Sequence, residues 1–337
     1  MAKDLHYLGV DIGAGGIKVA QLKNEGGRAH LVTYGYSEHG TVAEEGIFSN
    51  PDIAGKELAG LCRMAGVTTK QAITGLPMAS VFSTLFTLPD VSDKDMERQI
   101  TEKIKKLAPI PPEDIVLDWK KVGEAAEKTV KVSVTAASRK MIERYVQIFK
   151  VAGLQLLNLE TEAFAVIRAL LGKDKAPALI VDIGSVKTNV LVVKEGVPLV
   201  HRTVKFGGNN IGALLAEKMK ISFKEAEEIK KNFSTYLIEG QEALLKPLIS
   251  SVVNEAKYCQ GLYAEQYNGD RIEKMVLTGG SAPIIGVSEE LQKSLGLRIF
   301  LGDPWARIIY PDELRPVLDN IGSRFAVAIG LAMMDIG

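Results

Sequence analysis

Apolar residues recur along the chain in two alternating patterns, short strand-like runs and longer helical stripes, which together predict a mixed α/β fold. Three apolar runs at residues 5–12, 16–22 and 29–36 predict a β-meander at the start of the chain. A helical stripe follows at residues 52–64, and another short apolar run lies at residues 71–76. The chain is therefore predicted to begin with a sheet that has a helix packed against it.

A separate subdomain is predicted within the first half of the chain. A strand-like run at residues 81–88 precedes a helical pattern at residues 91–107, which a proline-rich segment ends because proline cannot continue a helix. Two further strands are predicted at residues 115–122 and 129–136. The resulting β-α-β-β order predicts a compact insertion at about residues 79–137.

The alternation of strands and helices continues through the rest of the chain. The other predicted strands lie at residues 154–159, 178–183, 188–194, 197–206, 274–278 and 297–301. The other predicted helices lie at residues 138–152, 160–171, 207–219, 222–232, 239–267 and 319–334, with one more running from Pro283 towards Leu295. We expect a first domain at residues 1–175 and a second at 176–337, which includes a helical subdomain at about 207–272.

A repeated motif supports this division into two domains. Asp11-Ile12-Gly13 ends one apolar strand and leads through a glycine turn into a second strand. Asp182-Ile183-Gly184 does the same about half a chain later. Two copies of one supersecondary unit predict two similar domains that face each other.

The chemistry of this unit favours a polyphosphate ligand. Glycine residues allow the turn to adopt positive φ angles and allow the backbone to approach a ligand closely. Successive backbone N–H groups in such a turn form an anion-binding concavity. A neighbouring carboxylate would repel phosphate unless a divalent cation lay between them, and Mg²⁺ commonly uses one or two carboxylates with retained water. We therefore assign Asp11 and Asp182 to a magnesium ion that they hold through water.

Two other phosphate-binding motifs are excluded. A dinucleotide fingerprint must open a helix, whereas the residues after Gly16 alternate as a strand does. A P-loop requires Gly-Lys-Ser or Gly-Lys-Thr, but Gly55-Lys56 is followed by Glu57 and Gly172-Lys173 by Asp174.

Composition narrows the class of protein further. The chain has 337 residues, of which 46% are hydrophobic and 24% charged, as expected for a folded protein. Lys plus Arg equals Asp plus Glu, 41 of each, so there is no electrostatic case for a nucleic-acid partner. No apolar run is long enough to cross a bilayer, so we expect no direct membrane insertion.

Glu160 and Glu162 are predicted to lie in the first turn of the helix at residues 160–171. Carboxylates are favoured in that turn because they complement the helix dipole, so a structural role is open to both. The other interpretation is that one of them faces a γ-phosphate and polarises a water molecule. Glu162 is the candidate catalytic residue on this second interpretation.

Taken together, the motifs resemble those of the actin–Hsp70–sugar-kinase superfamily. Asp11-Ile12-Gly13 and Asp182-Ile183-Gly184 are similar to its phosphate motifs, and Leu277-Thr278-Gly279-Gly280-Ser281 is similar to its adenosine motif. Residues 162–170 and 325–333 resemble its two connecting helices. The resemblance implies an actin-like (ribonuclease H-like) duplicated two-domain fold with a nucleotide cleft.

Within this superfamily the chain is most similar to the PilM family of type IV pilus assembly. The similarity lies in Glu162-Ala163-Phe164-Ala165, Phe206-Gly207-Gly208-Asn209 and residues 221–230. The β-α-β-β insertion resembles the subdomain that this family shares with the cell-division protein FtsA.

The resemblance implies a set of site residues for ATP and Mg²⁺. The two glycine turns and Lys18 would hold the phosphates, and Asp11 and Asp182 would hold Mg²⁺ through water. The later residues would contact ribose and adenine. The residues assigned to the cofactor are Asp11, Gly13, Ala14, Gly15, Gly16, Lys18, Asp182, Gly184, Ser185, Lys187, Thr188, Asn189, Gly207, Gly208, Asn209, Glu227, Lys230, Gly279, Gly280, Ser281 and Pro283.

The resemblance also implies a partner and a location. The chain would bind the N-terminal cytoplasmic segment of PilN near the insertion in a nucleotide-sensitive way, with other pilus-assembly proteins as further candidates. It would be cytoplasmic and peripheral to the inner membrane through that partner. Ala14 stands where relatives often carry a hydroxyl residue, so at most slow ATPase activity is expected.

Two alternatives remain open from the sequence. One is an FtsA-like membrane-associated filament protein, which would need a basic amphipathic anchor. The other is a small-molecule kinase of the same superfamily, which would need a carboxylate base beside a substrate hydroxyl.

Overall fold

The computed structural model describes residues 6–38, 49–124, 128–232, 241–284 and 286–336. Residues 5, 239, 240 and 285, which belong to predicted elements, lie outside this set. The strands are β1 (His6–Gly13), β2 (Gly16–Glu25), β3 (Arg28–Tyr36), β4 (Gln71–Leu76), β5 (Phe82–Pro89), β6 (Ile115–Glu124), β7 (Thr129–Ser138), β8 (Gln155–Thr161), β9 (Ala178–Ile183), β10 (Thr188–Lys194), β11 (Val197–Val204), β12 (Lys274–Thr278), β13 (Arg298–Leu301) and β14 (Ile308–Ile309). The helices are α1 (Pro51–Met64), α2 (Asp93–Leu107), α3 (Arg139–Ala152), α4 (Glu162–Leu170), α5 (Gly208–Met219), α6 (Phe223–Asn232), α7 (Gln241–Gln266), α8 (Val287–Leu295), α9 (Arg315–Ile321) and α10 (Ala326–Ala332).

The two large sheets repeat one topology. The first has the strand order β14-β3-β2-β1-β4-β8, and the second has β11-β10-β9-β12-β13. Apart from β14, the two orders correspond strand for strand. Each sheet starts from an antiparallel hairpin, β1–β2 or β9–β10, and then continues in parallel through β4 or β12. The duplication predicted from the repeated Asp-Ile-Gly motif is therefore present in the topology.

The insertion forms a small antiparallel sheet of order β5-β7-β6 with α2 packed on one face. Met96 and Ile100 of α2 are fully buried against Val132 and Val134 of β7. Residues of β7 alternate between the two faces because side chains of a strand have a period of two. The face opposite α2, which includes Ser133 and Thr135, therefore turns towards the rest of the molecule.

Helices α4 and α10 lie between the two large sheets and share one apolar core with both of them. Glycine residues make this packing close: a Cβ atom on Gly330 of α10 would overlap the carbonyl oxygen of Ala165 in α4, and one on Gly9 of β1 would overlap that of Ala328. Although α10 and β14 belong to residues 176–337, they pack against the first sheet. The end of the chain thus ties the two sheets together.

The prediction of one final helix at residues 319–334 is wrong. The segment is α9, then a 3₁₀ turn at Gly322–Phe325, then α10. The carbonyl oxygen of Ser323 in that turn accepts bonds from the Thr278 hydroxyl and the Gly279 amide, each at 2.9 Å. An uninterrupted helix would use this carbonyl internally, so the contact with β12 accounts for the break.

The placement of Glu160 in the first turn of a helix is also wrong. Strand β8 continues to Thr161, which pairs with Leu76 of β4, and α4 begins only at Glu162. Glu160 is therefore a strand residue, and its carboxylate pairs with Arg168 at 2.7 Å instead of complementing the helix dipole.

The contact between α4 and α10 gives a test of this packing. We expect Gly330→Ala to lower the free energy of unfolding by about 1–3 kcal/mol, because the added methyl group overpacks a backbone contact. Gly261→Ala in α7 is the matched control, since its Cβ would meet no atom within 4 Å; it should raise stability by up to about 1 kcal/mol. Urea unfolding measures both, and equal effects of the two substitutions would contradict the packing described.

Candidate nucleotide-binding cleft

A cleft of about 1020 Å³ lies between the two large sheets. Most of the predicted site residues line it, although they come from distant parts of the chain. Those that line the cleft are Asp11, Gly13, Ala14, Gly15, Lys18, Glu162, Asp182, Gly184, Ser185, Lys187, Asn189, Gly208, Asn209, Glu227, Lys230, Gly279, Gly280, Ser281 and Pro283. This juxtaposition follows from the topology, because the turns after β1 and β9 occupy equivalent positions in the two sheets.

The two glycine turns face each other across the cleft. A Cβ atom on Gly15 of the first turn would lie 3.0 Å from the hydroxyl oxygen of Ser185 in the second. Gly16 has a φ of +133°, and a side chain there would overlap the carbonyl oxygen of Ser37. Glycine is therefore required at this position for both conformation and space, and the turns present backbone rather than side chains to the cleft.

Three carboxylates approach one another on the floor of the cleft. Asp11 is 7% exposed and pairs with the Lys18 ammonium at 3.3 Å. The pKa of Asp182 is raised to about 6, first by burial and then by the charge of Asp11. The pKa of Glu162 is raised to about 8, first by burial and then by the charges of Asp11 and Asp182. The floor is thus short of positive charge when no cation is bound.

The acids of the floor fit a cation that keeps most of its water. Within the described residues, no group of three or more His, Cys, Asp or Glu side chains is arranged to hold a metal directly. Asp11 and Asp182 instead face the cleft beside the glycine turns. Mg²⁺ is commonly held by one or two carboxylates together with phosphate oxygens and water, and these two residues suit that arrangement.

The opposite side of the cleft is built by α5, α6 and the turn after β12. The Lys230 ammonium pairs with Glu227 at 2.5 Å and donates to the carbonyl oxygen of Gly208 at 3.0 Å. A side chain at Gly208 would overlap the Ser281 hydroxyl. Glycine at this position therefore brings the start of α5 against the adenosine-type turn and aligns Glu227 and Lys230 along the cleft.

Three predicted residues do not line the cleft. Thr188 is fully buried, and its hydroxyl donates to the carbonyl oxygen of Phe206 at 2.8 Å. A Cβ on Gly207 would lie 2.5 Å from the carbonyl oxygen of Ser185, and Gly16 faces Ser37. These three residues pack behind the turns and do not contribute to the lining of the cleft.

Sequence reasoning missed several residues of the cleft wall. Pro77 and Met78 after β4 line it, as do Arg144 and Tyr145 of α3. Pro77 could have been predicted as a site residue, because it directly follows strand β4 and ligands of parallel sheets bind at the carboxyl ends of strands. Arg144 and Tyr145 could not have been predicted, since their positions depend on how α3 packs against the sheet.

At the rim of the cleft, Arg324 joins two separate parts of the chain. Its guanidinium pairs with Glu38 at 2.8 Å and lies 5.3 Å from the centre of the Tyr36 ring. No local pattern in the sequence indicates this contact, because the residues are almost a whole chain apart.

A second cavity, of about 280 Å³, lies between the insertion and the first sheet. We call it the insertion groove; its lining residues are Leu76, Val116, Leu117, Asp118, Lys120, Ser133, Thr135, Ala137, Ile142, Leu159, Glu160, Thr161 and Phe164. The Lys120 ammonium lies 3.1 Å from the centre of the Phe164 ring. Burial lowers the pKa of Lys120, while nearby Glu160 opposes that change.

Among the helices that the structure describes, none has the length and apolar character needed to cross a membrane.

Comparison with known proteins shows which proteins share these features. The sequence profile of the type IV pilus assembly protein PilM family matches residues 9–336. Among curated proteins, the cell division protein FtsA of Streptococcus pneumoniae serotype 2 is 21% identical over 354 residues, which cover 90% of this chain and 77% of that protein.

Solved structures share the whole fold. A PilM–PilN type IV pilus biogenesis complex matches with a TM-score of 0.84 and 22% identity, over 99% of each chain. MreB5 of Spiroplasma citri bound to ADP matches with a TM-score of 0.54 and 12% identity, over 98% of this chain and 96% of that one. The predicted actin-like fold is thereby confirmed. Because the family profile matches nearly the entire chain, this protein belongs to the type IV pilus assembly protein PilM family.

Proposed function

We propose that this chain is an ATP-binding component of the type IV pilus inner-membrane assembly complex and that it binds the cytoplasmic segment of PilN. The observation that carries the proposal is the cleft in which two equivalent glycine turns face each other above Asp11 and Asp182. Membership of the PilM family, and the fold shared with a PilM–PilN complex, support the choice of process and partner. They do not favour a small-molecule kinase or an FtsA-like filament.

Different residues of the cleft would hold the phosphates, the nucleoside and the Mg²⁺ ion. Backbone N–H groups of the two turns would hold the phosphates, as turns of this kind hold anions. Lys18 would bring positive charge to the phosphates, and Asp11 and Asp182 would orient the water around the cation. The cation, when bound, offsets the negative charge of the phosphates and of the cleft floor. Glu227 and Lys230 would contact the ribose or the adenine.

Fast hydrolysis does not follow from this arrangement. Ala14 offers no hydroxyl group to a γ-phosphate. The carboxylate of Glu162, the candidate base, accepts a hydrogen bond from the Met78 amide at 3.4 Å. The site therefore suits ATP binding with slow turnover.

The insertion groove suits an extended peptide such as the PilN segment. It lies between two edge strands, β6 of the insertion and β8 of the first sheet, which leave backbone groups available for pairing. Apolar side chains such as Leu159 and Phe164 form part of its wall, while Asp118 and Lys120 place charge at its mouth. Strand addition with side-chain pockets is an established mode of peptide recognition. The protein would then lie at the inner membrane through PilN, in the cytoplasm.

The assignment of ATP and Mg²⁺ is tested by calorimetric titration. Asp11→Ala and Asp182→Ala should each weaken Mg·ATP binding by roughly 10–100-fold, since hydrogen bonds to charged groups contribute about 1.5–3 kcal/mol. Removing Mg²⁺ with a chelator should weaken the wild-type protein and leave the variants little changed. Asp312→Ala, at a side chain that is 89% exposed, is the matched control. Unchanged affinity in both cleft variants would remove the metal role.

The raised pKa of Glu162 predicts a pH dependence of the empty protein. The folded state holds a proton that the unfolded state releases, because the pKa rises from its ordinary 4.5 to about 8 on folding. This contribution to stability is complete below about pH 4.5 and is lost as the pH rises through 8. Glu162→Gln should flatten the decline, measured by urea unfolding without magnesium between about pH 3.5 and 9, roughly one pH unit beyond each value. Glu143→Gln on exposed α3 surface is the control, and identical pH profiles for both variants would refute the assignment.

The partner site is tested with a labelled peptide of the PilN cytoplasmic segment. Phe164→Ala should weaken peptide binding by roughly 30-fold or more, the effect of losing a hot-spot residue of about 2 kcal/mol. Lys120→Ala should weaken it less. Phe300→Ala, at an exposed ring on β13, is the control and should bind normally. Circular dichroism shows whether each variant is folded, and full binding by folded Phe164→Ala would place the peptide elsewhere.

A further inference from the structure

The nucleotide-binding cleft and the insertion groove share a wall. At three points in the described chain, a residue that lines one cavity is directly followed or preceded by a residue that lines the other. Residues facing the groove are Leu76, Ile142 and Thr161, and those facing the cleft are Pro77, Met78, Met141 and Glu162. Ligands in the two cavities can therefore contact adjacent residues of the same backbone segment.

Two of the three segments that form the wall begin or end the insertion. The chain enters the insertion through a 3₁₀ turn at Met78–Ser80 and leaves it through the first turn of α3. The third segment is the start of α4, the helix packed between the two large sheets. A displacement of this wall therefore changes the position of the insertion relative to the first sheet.

Glu162 links two of these segments. Its carboxylate accepts a hydrogen bond from the backbone N–H of Met78 at 3.4 Å. Its Cγ lies close behind β4, 3.1 Å from the position that a Cβ on Gly75 would take. Met78 is 3% exposed, so the turn has little freedom to move without its neighbours.

The same turn of α4 reaches the groove from its other side. Phe164 lies two residues after Glu162 and carries the Lys120 ammonium on its ring at 3.1 Å. Glu160, two residues before Glu162, lines the groove and accepts hydrogen bonds from Nη1 and Nη2 of Arg168, at 2.7 and 2.8 Å. A rotation or shift of the start of α4 therefore moves Glu162 in the cleft and Phe164 in the groove together.

We propose that Glu162 is a positioning residue that couples the two cavities through its hydrogen bond to the Met78 amide. Phosphates and a cation in the cleft shift the position of the Glu162 carboxylate. That shift moves the 3₁₀ turn at Met78–Ser80 and the first turn of α4. The positions of these two segments determine the width of the groove. The inference rests on the proposed function, because it requires ATP in the cleft and a peptide in the groove. It adds the route by which one affects the other.

The test measures a coupling factor, the ratio of PilN-peptide affinity with and without saturating Mg·ATP. In the wild-type protein this factor should lie within roughly 5–150-fold, and ATP titrated with and without peptide should give the same factor. Substitutions that only alter one cavity change an affinity but cancel in the ratio. Asp118→Asn, in the groove but outside the shared wall, is the control of this kind.

Two matched pairs of variants isolate the hydrogen bond. Glu162→Ala removes the acceptor and should bring the factor close to one, whereas Glu162→Gln keeps an acceptor oxygen and should retain most of it. Met78→Pro removes the donor N–H at the first position of a 3₁₀ turn, where proline is tolerated. Met78→Ala truncates the same side chain but keeps the N–H. The factor should be lost in the first member of each pair and kept in the second.

A readout without peptide keeps the proposal testable if a variant binds the partner poorly. Amide hydrogen exchange in β6 should change on addition of Mg·ATP in the wild-type protein and in Glu162→Gln, but not in Glu162→Ala. A factor of one in the wild-type protein, or a full factor in Glu162→Ala, would overturn the coupling route while leaving the proposed function intact. Absence of peptide binding to the wild-type protein would instead overturn the proposed partner, and the inference with it.

Discussion

The close contact of α4 with α10 is the constraint on which the rest of this structure depends. The two helices cross where Gly330 leaves room for the backbone of Ala165, and Arg168 of α4 donates to the carbonyl oxygen of Gly330. Since the helices pack between the two large sheets, their separation sets the distance between the sheets. The facing of the two glycine turns, and therefore the cleft, follows from that distance.

The cleft concentrates negative charge at a point where the fold provides little to offset it. Lys18 pairs with Asp11, yet burial and mutual repulsion still raise the pKa values of Asp182 and Glu162. Burial of like charges in this way costs free energy in the folded state. A cation bound beside these carboxylates, as proposed above, would relieve that cost and would stabilise the folded state by mass action.

Sequence patterns predicted the elements well where one face of an element meets the core and poorly where a distant contact decides the outcome. Apart from β14, the strands of both sheets follow from apolar periodicity, and the paired Asp-Ile-Gly motifs located both glycine turns that line the cleft. The 3₁₀ break at Gly322–Phe325 depends on bonds from β12 to Ser323, which no local pattern contains. Likewise, Thr188 belongs to a turn motif, but its hydroxyl is turned inward to Phe206.

Pro77, Met78, Arg144 and Tyr145, which sequence reasoning missed, share one property: they lie where the insertion leaves and rejoins the first domain. Pro77 and Met78 end a strand that any α/β sheet could contain, and Tyr145 is an ordinary buried residue of an amphipathic helix. They line the cleft only because the insertion is connected beside its floor. An insertion at a peripheral loop would have left the subdomain independent of the ligand. Because the insertion is connected at this place, a partner bound to it and a ligand bound between the sheets would both act on the same few turns of backbone. Mutual influence between the two sites would therefore depend more on the point of insertion than on the chemistry of either surface.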